Sequence, residues 1–167
     1  MEKLKKVKLN SFVDERGVLT AVELKDYVDW PVKRVYYLTD VTKPRGGHAV
    51  LHEKKMYICQ KGTVKARLHD GIKWHEFDLK GPSDAILMDG LCYRDFYDFS
   101  PDAVLMAVSS VNYVPKDYIY DFDEFLKICG GHGDVKIFSQ EQSASHAKRD
   151  EDVPRKIFTH RGKDPQI

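Results

Sequence analysis

The sequence predicts an all-β domain, a β-barrel or jelly roll of short strands, followed by one helix and a polar tail. Three observations carry that prediction. Short runs rich in β-branched and aromatic side chains recur along the chain, and turn residues separate them at regular spacing. Only one stretch has convincing helical periodicity. With 167 residues and 42% hydrophobic content, the chain has material for one core and little room for a second.

The first strand is expected over Gly17–Leu24 and the next over Arg34–Thr39, both bounded by turn signals. The glycine pair Gly46-Gly47 then leads into the run His48–His52. Lys55–Gln60 and Thr63–His69 flank a turn at Gly62, and Asp70-Gly71 opens into Ile72–Leu79. An Asp-Gly pair between two such runs marks a hairpin, because both central positions of a type I′ turn need positive φ. Further strands are expected at Ala85–Met88, Tyr93–Phe99 and Val104–Asn112. The single helix is expected over Pro115–Ile128, where Tyr118, Phe122, Phe125 and Leu126 make one apolar face before Gly130 and Gly131. Residues 1–130 are read as the folded domain and 131–167 as a polar C-terminal tail, charged and weakly periodic.

Charged residues make up 32% of the chain, with a formal net charge of +1. They are interspersed, as on a solvated surface, and no basic stripe suggests nucleic acid as a partner. Lys3, Lys5, Lys6 and Lys8 near the start are not followed by the apolar run of a signal peptide. Nothing approaches the ~18 consecutive apolar residues of a membrane span. Cys59, Cys92 and Cys129 are odd in number and form no CxxC pair, which reads as reduced thiols in a cytoplasmic protein.

The segment Arg45-Gly46-Gly47-His48-Ala49-Val50-Leu51-His52 carries the first candidate chemistry. Side chains alternate along a strand, so His48, Val50 and His52 are expected on one face, the two histidines roughly 13 Å apart. That spacing is too wide for one metal or a direct proton relay. A barrel metal site needs a His-x-His pair, an acidic residue soon after and a third His on a later strand. Val50 fills the second His position here, so no metal and no cofactor are expected. On its own, a single histidine such as His48 is more often structural, satisfied by hydrogen bonds. Arg34 and Tyr36 share one face of their strand and Tyr37 takes the other. Arg45 beside two glycines suits a phosphate, because a guanidinium pairs two oxygens at once, and equally suits a solvated loop. The run Tyr93-Arg94-Asp95-Phe96 mixes aromatic and charged groups, as a sugar or nucleobase site does, although an ordinary half-exposed strand does so too.

Taken together, Arg34-Val35-Tyr36-Tyr37, Pro44-Arg45-Gly46-x-His48-Ala49, the strand ending at Gly62, Asp98-Phe99-Ser100 and Asp117-Tyr118-Ile119 resemble the sugar 3,4-ketoisomerase family. The resemblance runs from about Lys5 to Ile128 and extends to the C-terminal domain of WxcM-like proteins. It implies a cupin-type β-barrel (jelly roll) acting on dTDP-4-keto-6-deoxyglucose without a metal. A barrel histidine removes the C3 proton and a proton is returned at C4. His48 matches the family's first motif histidine, Tyr37 a tyrosine of its Arg-Val-Tyr-Tyr strand, and Arg45 the arginine expected at the diphosphate. Arg34, Lys55, Tyr93 and Arg94 complete the expected substrate-binding set. The resemblance also implies a homodimer, often formed by exchange of N-terminal strands.

The chain departs from the family pattern at three places. Val50 stands where the family has its second motif histidine, Tyr93-Arg94 where it has Trp-His, and Lys54-Lys55 where it has a polar pair. Three readings therefore stand. The first is a metal-free isomerase of a dTDP-linked 4-keto-6-deoxy sugar. The others are a nucleotide-sugar-binding protein without turnover, serving polysaccharide synthesis, and an epimerase of a related sugar.

Overall fold

The structure, a computed structural model, describes residues 2–130. The tail expected over 131–167 lies outside the described residues. Among the described residues there are twelve strands: β1 Leu4–Lys8, β2 Asn10–Asp14, β3 Gly17–Ala21, β4 Arg34–Leu38, β5 Arg45–Val50, β6 Lys55–Lys61, β7 Thr63–His69, β8 Trp74–Lys80, β9 Asp84–Met88, β10 Tyr93–Tyr97, β11 Val104–Ser109 and β12 Tyr118–Ile119. One α-helix, α1, spans Phe122–Ile128.

The strands form two five-stranded antiparallel sheets, in the orders β1-β9-β6-β11-β4 and β12-β5-β10-β7-β8, and a separate β2-β3 hairpin. Consecutive strands repeatedly cross from one sheet to the other, as in a jelly roll. The main core lies between the sheets. Tyr57, Cys59, Ile86 and Leu105 come from the first sheet, and Val64, Leu68, Leu79 and Phe96 from the second. The fold class is a jelly roll, as the strand pattern predicts, and of the cupin type that the family resemblance implies.

Strand β6 is buried on both faces, which explains its unbroken run from Lys55 to Cys59. Tyr57 and Cys59 face the main core. Met56 and Ile58 face outward and are covered by the segment carrying Val22, Leu24, Tyr27, Val28 and Trp30. A third cluster unites Ala49 of β5, Ile119 of β12 and Phe125 of α1. The helix is capped by Asp121, whose side chain accepts from the Glu124 amide at 2.7 Å. Phe125 is fully buried, a contribution of roughly 1.5–3 kcal/mol on transfer scales.

The structure corrects three local expectations. Two strands precede Gly17: β1 pairs with β9 from Leu4↔Met88 to Lys8↔Asp84, and β2 pairs with β3. The helix expected over Pro115–Ile128 starts only at Phe122. Pro115–Asp117 is a 3₁₀ turn, and Tyr118–Ile119 pairs with Val50 and Ala49 as a short strand. Finally, β5 ends at Val50. His52 lies beyond it, exposed and with φ 59°, so it does not continue the His48 face.

Candidate active site

The site grows from the pairing of β5 with β10. Arg94 lies directly across from His48, and the register shifts between Arg94 and Asp95. Gly46 permits this close approach. Its φ is +108°, and a Cβ there would lie 2.3 Å from the Arg94 carbonyl oxygen. The Gly47 amide donates to Asp95 Oδ1 at 2.8 Å, and Arg67 Nε donates to Asp95 Oδ2 at 2.9 Å. Backbone and side chains thus fix where β5 enters the sheet.

The opposite sheet supplies the other half. Register places Arg34, Ser109 and Lys55 on one rung across β4, β11 and β6, and Tyr36, Ala107 and Tyr57 on another. Two residues further along, Leu38, Leu105 and Cys59 line up. The inner face of this sheet therefore grades from charged at one end to apolar at the other.

A continuous polar path joins the two sheets. His48 Nδ1 lies 3.0 Å from the Gly46 carbonyl, an acceptor, so that nitrogen carries the ring proton. Arg94 Nη2, a donor only, lies 3.1 Å from His48 Nε2 and 2.9 Å from Glu53 Oε2. Glu53 Oε1 accepts from Ser109 Oγ at 2.8 Å and pairs with Lys55 Nζ at 2.7 Å. Lys55 Nζ in turn donates to the Tyr36 hydroxyl at 3.0 Å. Glu53, Lys55 and Arg94 are each at most 2% exposed. A buried pair survives only when its charges meet good partners, and here both Glu53 oxygens, Lys55 Nζ and Arg94 Nη2 have them.

The electrostatics follow from that burial. His48 is held well below its ordinary value, chiefly by burial and then by the Arg94 charge, so it is neutral at pH 7. Lys55 is lowered to about 7, by burial and by Arg94, against the opposing pull of Glu53. Burial raises the Glu53 carboxyl, but Arg94 and Lys55 outweigh that and hold it below the usual range. Tyr36 is raised by burial, so it keeps its proton. With Lys55 protonated, two cations face one carboxylate. The surplus positive charge suits an oxyanion.

Aromatic groups border the imidazole. The His48 ring lies 4.9 Å from that of Tyr118, and the Arg34 guanidinium covers Tyr36 at 4.5 Å and Tyr113 at 5.1 Å. The arrangement can remove a proton with a neutral base and hold the resulting negative charge. Among the described residues, no group of three or more His, Cys, Asp or Glu side chains is placed to hold a metal ion.

The expected residues separate into two groups. His48, Arg94, Lys55 and Arg34 face the interior together. Tyr37 does not join them: it is 67% exposed on the outer face of β4, and Tyr36 takes the inner position. Tyr93 also faces away from Arg94. Its hydroxyl donates to the Tyr120 carbonyl at 2.9 Å, and its ring packs on Phe122 and Phe125. Tyr93 therefore secures α1 rather than lining the interior. Arg45 is exposed at the start of β5. Sequence reasoning missed Glu53 and Ser109, and it passed over Tyr36. Alternation separates Tyr36 from Tyr37, but Arg-Val-Tyr-Tyr does not say which face is inner.

A two-sheet jelly roll with a buried imidazole, arginine, lysine and carboxylate joined on its inner wall belongs among the cupin-type proteins. The family model for WxcM-like, C-terminal domains (FdtA) matches residues 2–130, and the chain belongs to that family. A TDP-4-oxo-6-deoxy-alpha-D-glucose-3,4-oxoisomerase from Aneurinibacillus thermoaerophilus is 32% identical over 125 residues, covering 74% of this chain and 90% of that protein. The crystal structure of QdtA, a sugar 3,4-ketoisomerase from Thermoanaerobacterium thermosaccharolyticum in complex with TDP, superposes with a TM-score of 0.71 at 31% identity, covering 77% of this chain and 95% of the other. A 3,4-ketoisomerase from Helicobacter canadensis gives a TM-score of 0.72 at 28% identity, covering 78% of this chain and all of the other, 100%.

Proposed function

We propose that this chain is a 3,4-ketoisomerase of a dTDP-linked 4-keto-6-deoxy sugar. One observation carries the reading: His48 is a neutral imidazole of fixed tautomer, beside a buried arginine on the inner wall. When the substrate oxygen draws Arg94 off the ring, the freed Nε2 lone pair of His48 is the base that takes the C3 proton. The C3–H electrons form the C3–C4 double bond, and the carbonyl pair moves onto O4. The hydroxyl proton passes from O3 to O4, a proton adds at C4, and C3 becomes the carbonyl. Electrons only redistribute within the sugar, so the reaction needs no redox partner.

Arg94 serves the developing oxyanion. Its Nη1 is buried without a hydrogen-bond partner, and an orphaned buried donor is suited to a ligand oxygen. The relatives named above support a dTDP-linked substrate. Arg45 at the exposed start of β5 is the diphosphate contact in this reading. A cytoplasmic location fits the free thiols of Cys59, Cys92 and Cys129. Incubation with dTDP-4-keto-6-deoxyglucose, followed by NMR, tests the reading. Appearance of the 3-keto isomer supports it; tight dTDP binding with no product would leave a binding protein instead.

The active form is a homodimer built through the β2-β3 hairpin. Phe12 and Leu19 are paired and 61% and 66% exposed, and Val13 and Val18 are paired and 76% and 56% exposed. Both faces of this ribbon are thus apolar and open. A lone two-stranded hairpin is marginal in water and gains stability when covered. A second copy of the chain is the occupant proposed.

A further inference from the structure

We propose that the proton added at C4 comes from Tyr36, and that Lys55 is the positioning residue that holds and recharges the tyrosine. The inference rests on the isomerase reading above and assigns a second proton-transfer group to it. Beside His48, β5 offers no other titratable inner residue, because Val50 two positions on is aliphatic and buried. On the facing sheet Tyr57 is sealed in the core at 2% exposure, which leaves Tyr36 and Lys55 as the proton carriers there, joined by the 3.0 Å hydrogen bond. Tyr36 keeps part of its surface open, whereas Lys55 is only 1% exposed. A sugar entering the site therefore meets the tyrosine and not the lysine.

The charges around Lys55 suit a group that gives up its proton. Glu53 faces it from the β5–β6 connection, Arg94 from β10 and Arg34 from β4. The rings of Tyr36 and Tyr57 lie 5.1 and 5.4 Å from its Nζ. Ser109 of β11 binds the same Glu53 oxygen, and His48 of β5 feels the Lys55 charge. Loss of the lysine proton leaves Glu53 and Arg94 as a balanced pair. Its pKa of about 7 places that loss near neutrality.

The step balances. The Tyr36 O–H bond breaks as the C4–H bond forms from the enediolate double bond, and the O3 electron pair closes the C3 carbonyl. A Lys55 N–H proton restores the tyrosine. Protonated His48 then releases its proton to solvent, and Lys55 takes one up.

The test compares wild type, Lys55→Met and Tyr36→Phe in D₂O, reading deuterium at C3 of remaining substrate and the rate of 3-keto product. Tyr36→Phe is expected to keep C3 exchange while product formation falls by about 10²-fold or more, and Lys55→Met to lose product well beyond its loss of exchange. In wild type, product formation is expected to fall as pH rises through about 7, and Lys55→Met removes that limb. The double variant is expected to be no worse than either single one. A parallel loss of exchange and product, or no loss of either, overturns the inference. Tyr36→Phe alone decides the matter if Lys55→Met does not fold. Absence of any C3 exchange in wild type overturns the isomerase reading and this inference with it.

Discussion

Arg94 Nη2 donates to the Nε2 lone pair of His48 across 3.1 Å, a buried cation facing a neutral imidazole. The relationship makes a protonated His48 costly, so a proton taken up there is readily released. Arg94→Met removes the second largest cause of the lowered His48 value. The His48 titration, followed by NMR of the ring protons, is expected to move upward toward 6.5. The variant also costs about 3–5 kcal/mol, because Glu53 loses one of its two cationic partners.

Stability should climb with pH, for reasons that differ by range. Below 6.5 the unfolded chain protonates His48 and the folded one does not, so stability falls as pH falls through that value. Between about 7 and 10.5 the unfolded chain still holds the Lys55 proton that the folded chain has lost, so stability rises with pH across that window. Urea unfolding at a series of pH values checks both. His48→Asn should flatten the acid side and Lys55→Met the upper slope.

Gly46→Ala should destabilise the domain by about 2–3 kcal/mol and impair the site. The added methyl meets the Arg94 carbonyl at 2.3 Å, in a backbone conformation that side chains rarely adopt. Gly17→Ala is the control. Its φ is also positive, at +133°, but nothing lies within 4 Å, so the cost is backbone strain alone. Denaturant melts of the two variants should separate clearly.

The hairpin should govern assembly. Leu19→Asp places a charge on an exposed apolar face without touching the core. Light scattering is expected to show a dimer for the wild-type chain and a monomer for the variant. A monomeric wild type would contradict the proposed assembly.

The jelly roll was legible because β4 to β11 are short, punctuated runs, and every turn between them except the one joining β5 to β6 carries Gly or Asp. The N-terminal strand β1 was not, since Leu-Lys-Lys-Val-Lys reads as solvated chain. Its place in the sheet comes from pairing with β9 and from Asp84, whose carboxylate binds both Lys6 and Lys8. The start of the expected helix was overridden by tertiary pairing, as Ile119 joins Ala49 in the sheet. In the site, His48 and Arg94 stood out by motif and by neighbouring residues. Glu53 did not, because Glu-Lys-Lys after a strand looks like a surface loop. Only the cross-strand register that aligns Lys55 with Ser109 shows why this carboxylate is buried.

The central claim is that His48 is the base that removes the C3 proton. The most direct measurement is deuterium uptake at C3 of dTDP-4-keto-6-deoxyglucose in D₂O, compared between wild type and His48→Asn at matched dTDP occupancy. The account predicts exchange in wild type and a loss of about 10²–10⁴-fold in the variant, with dTDP still bound. Undiminished exchange in His48→Asn would contradict it.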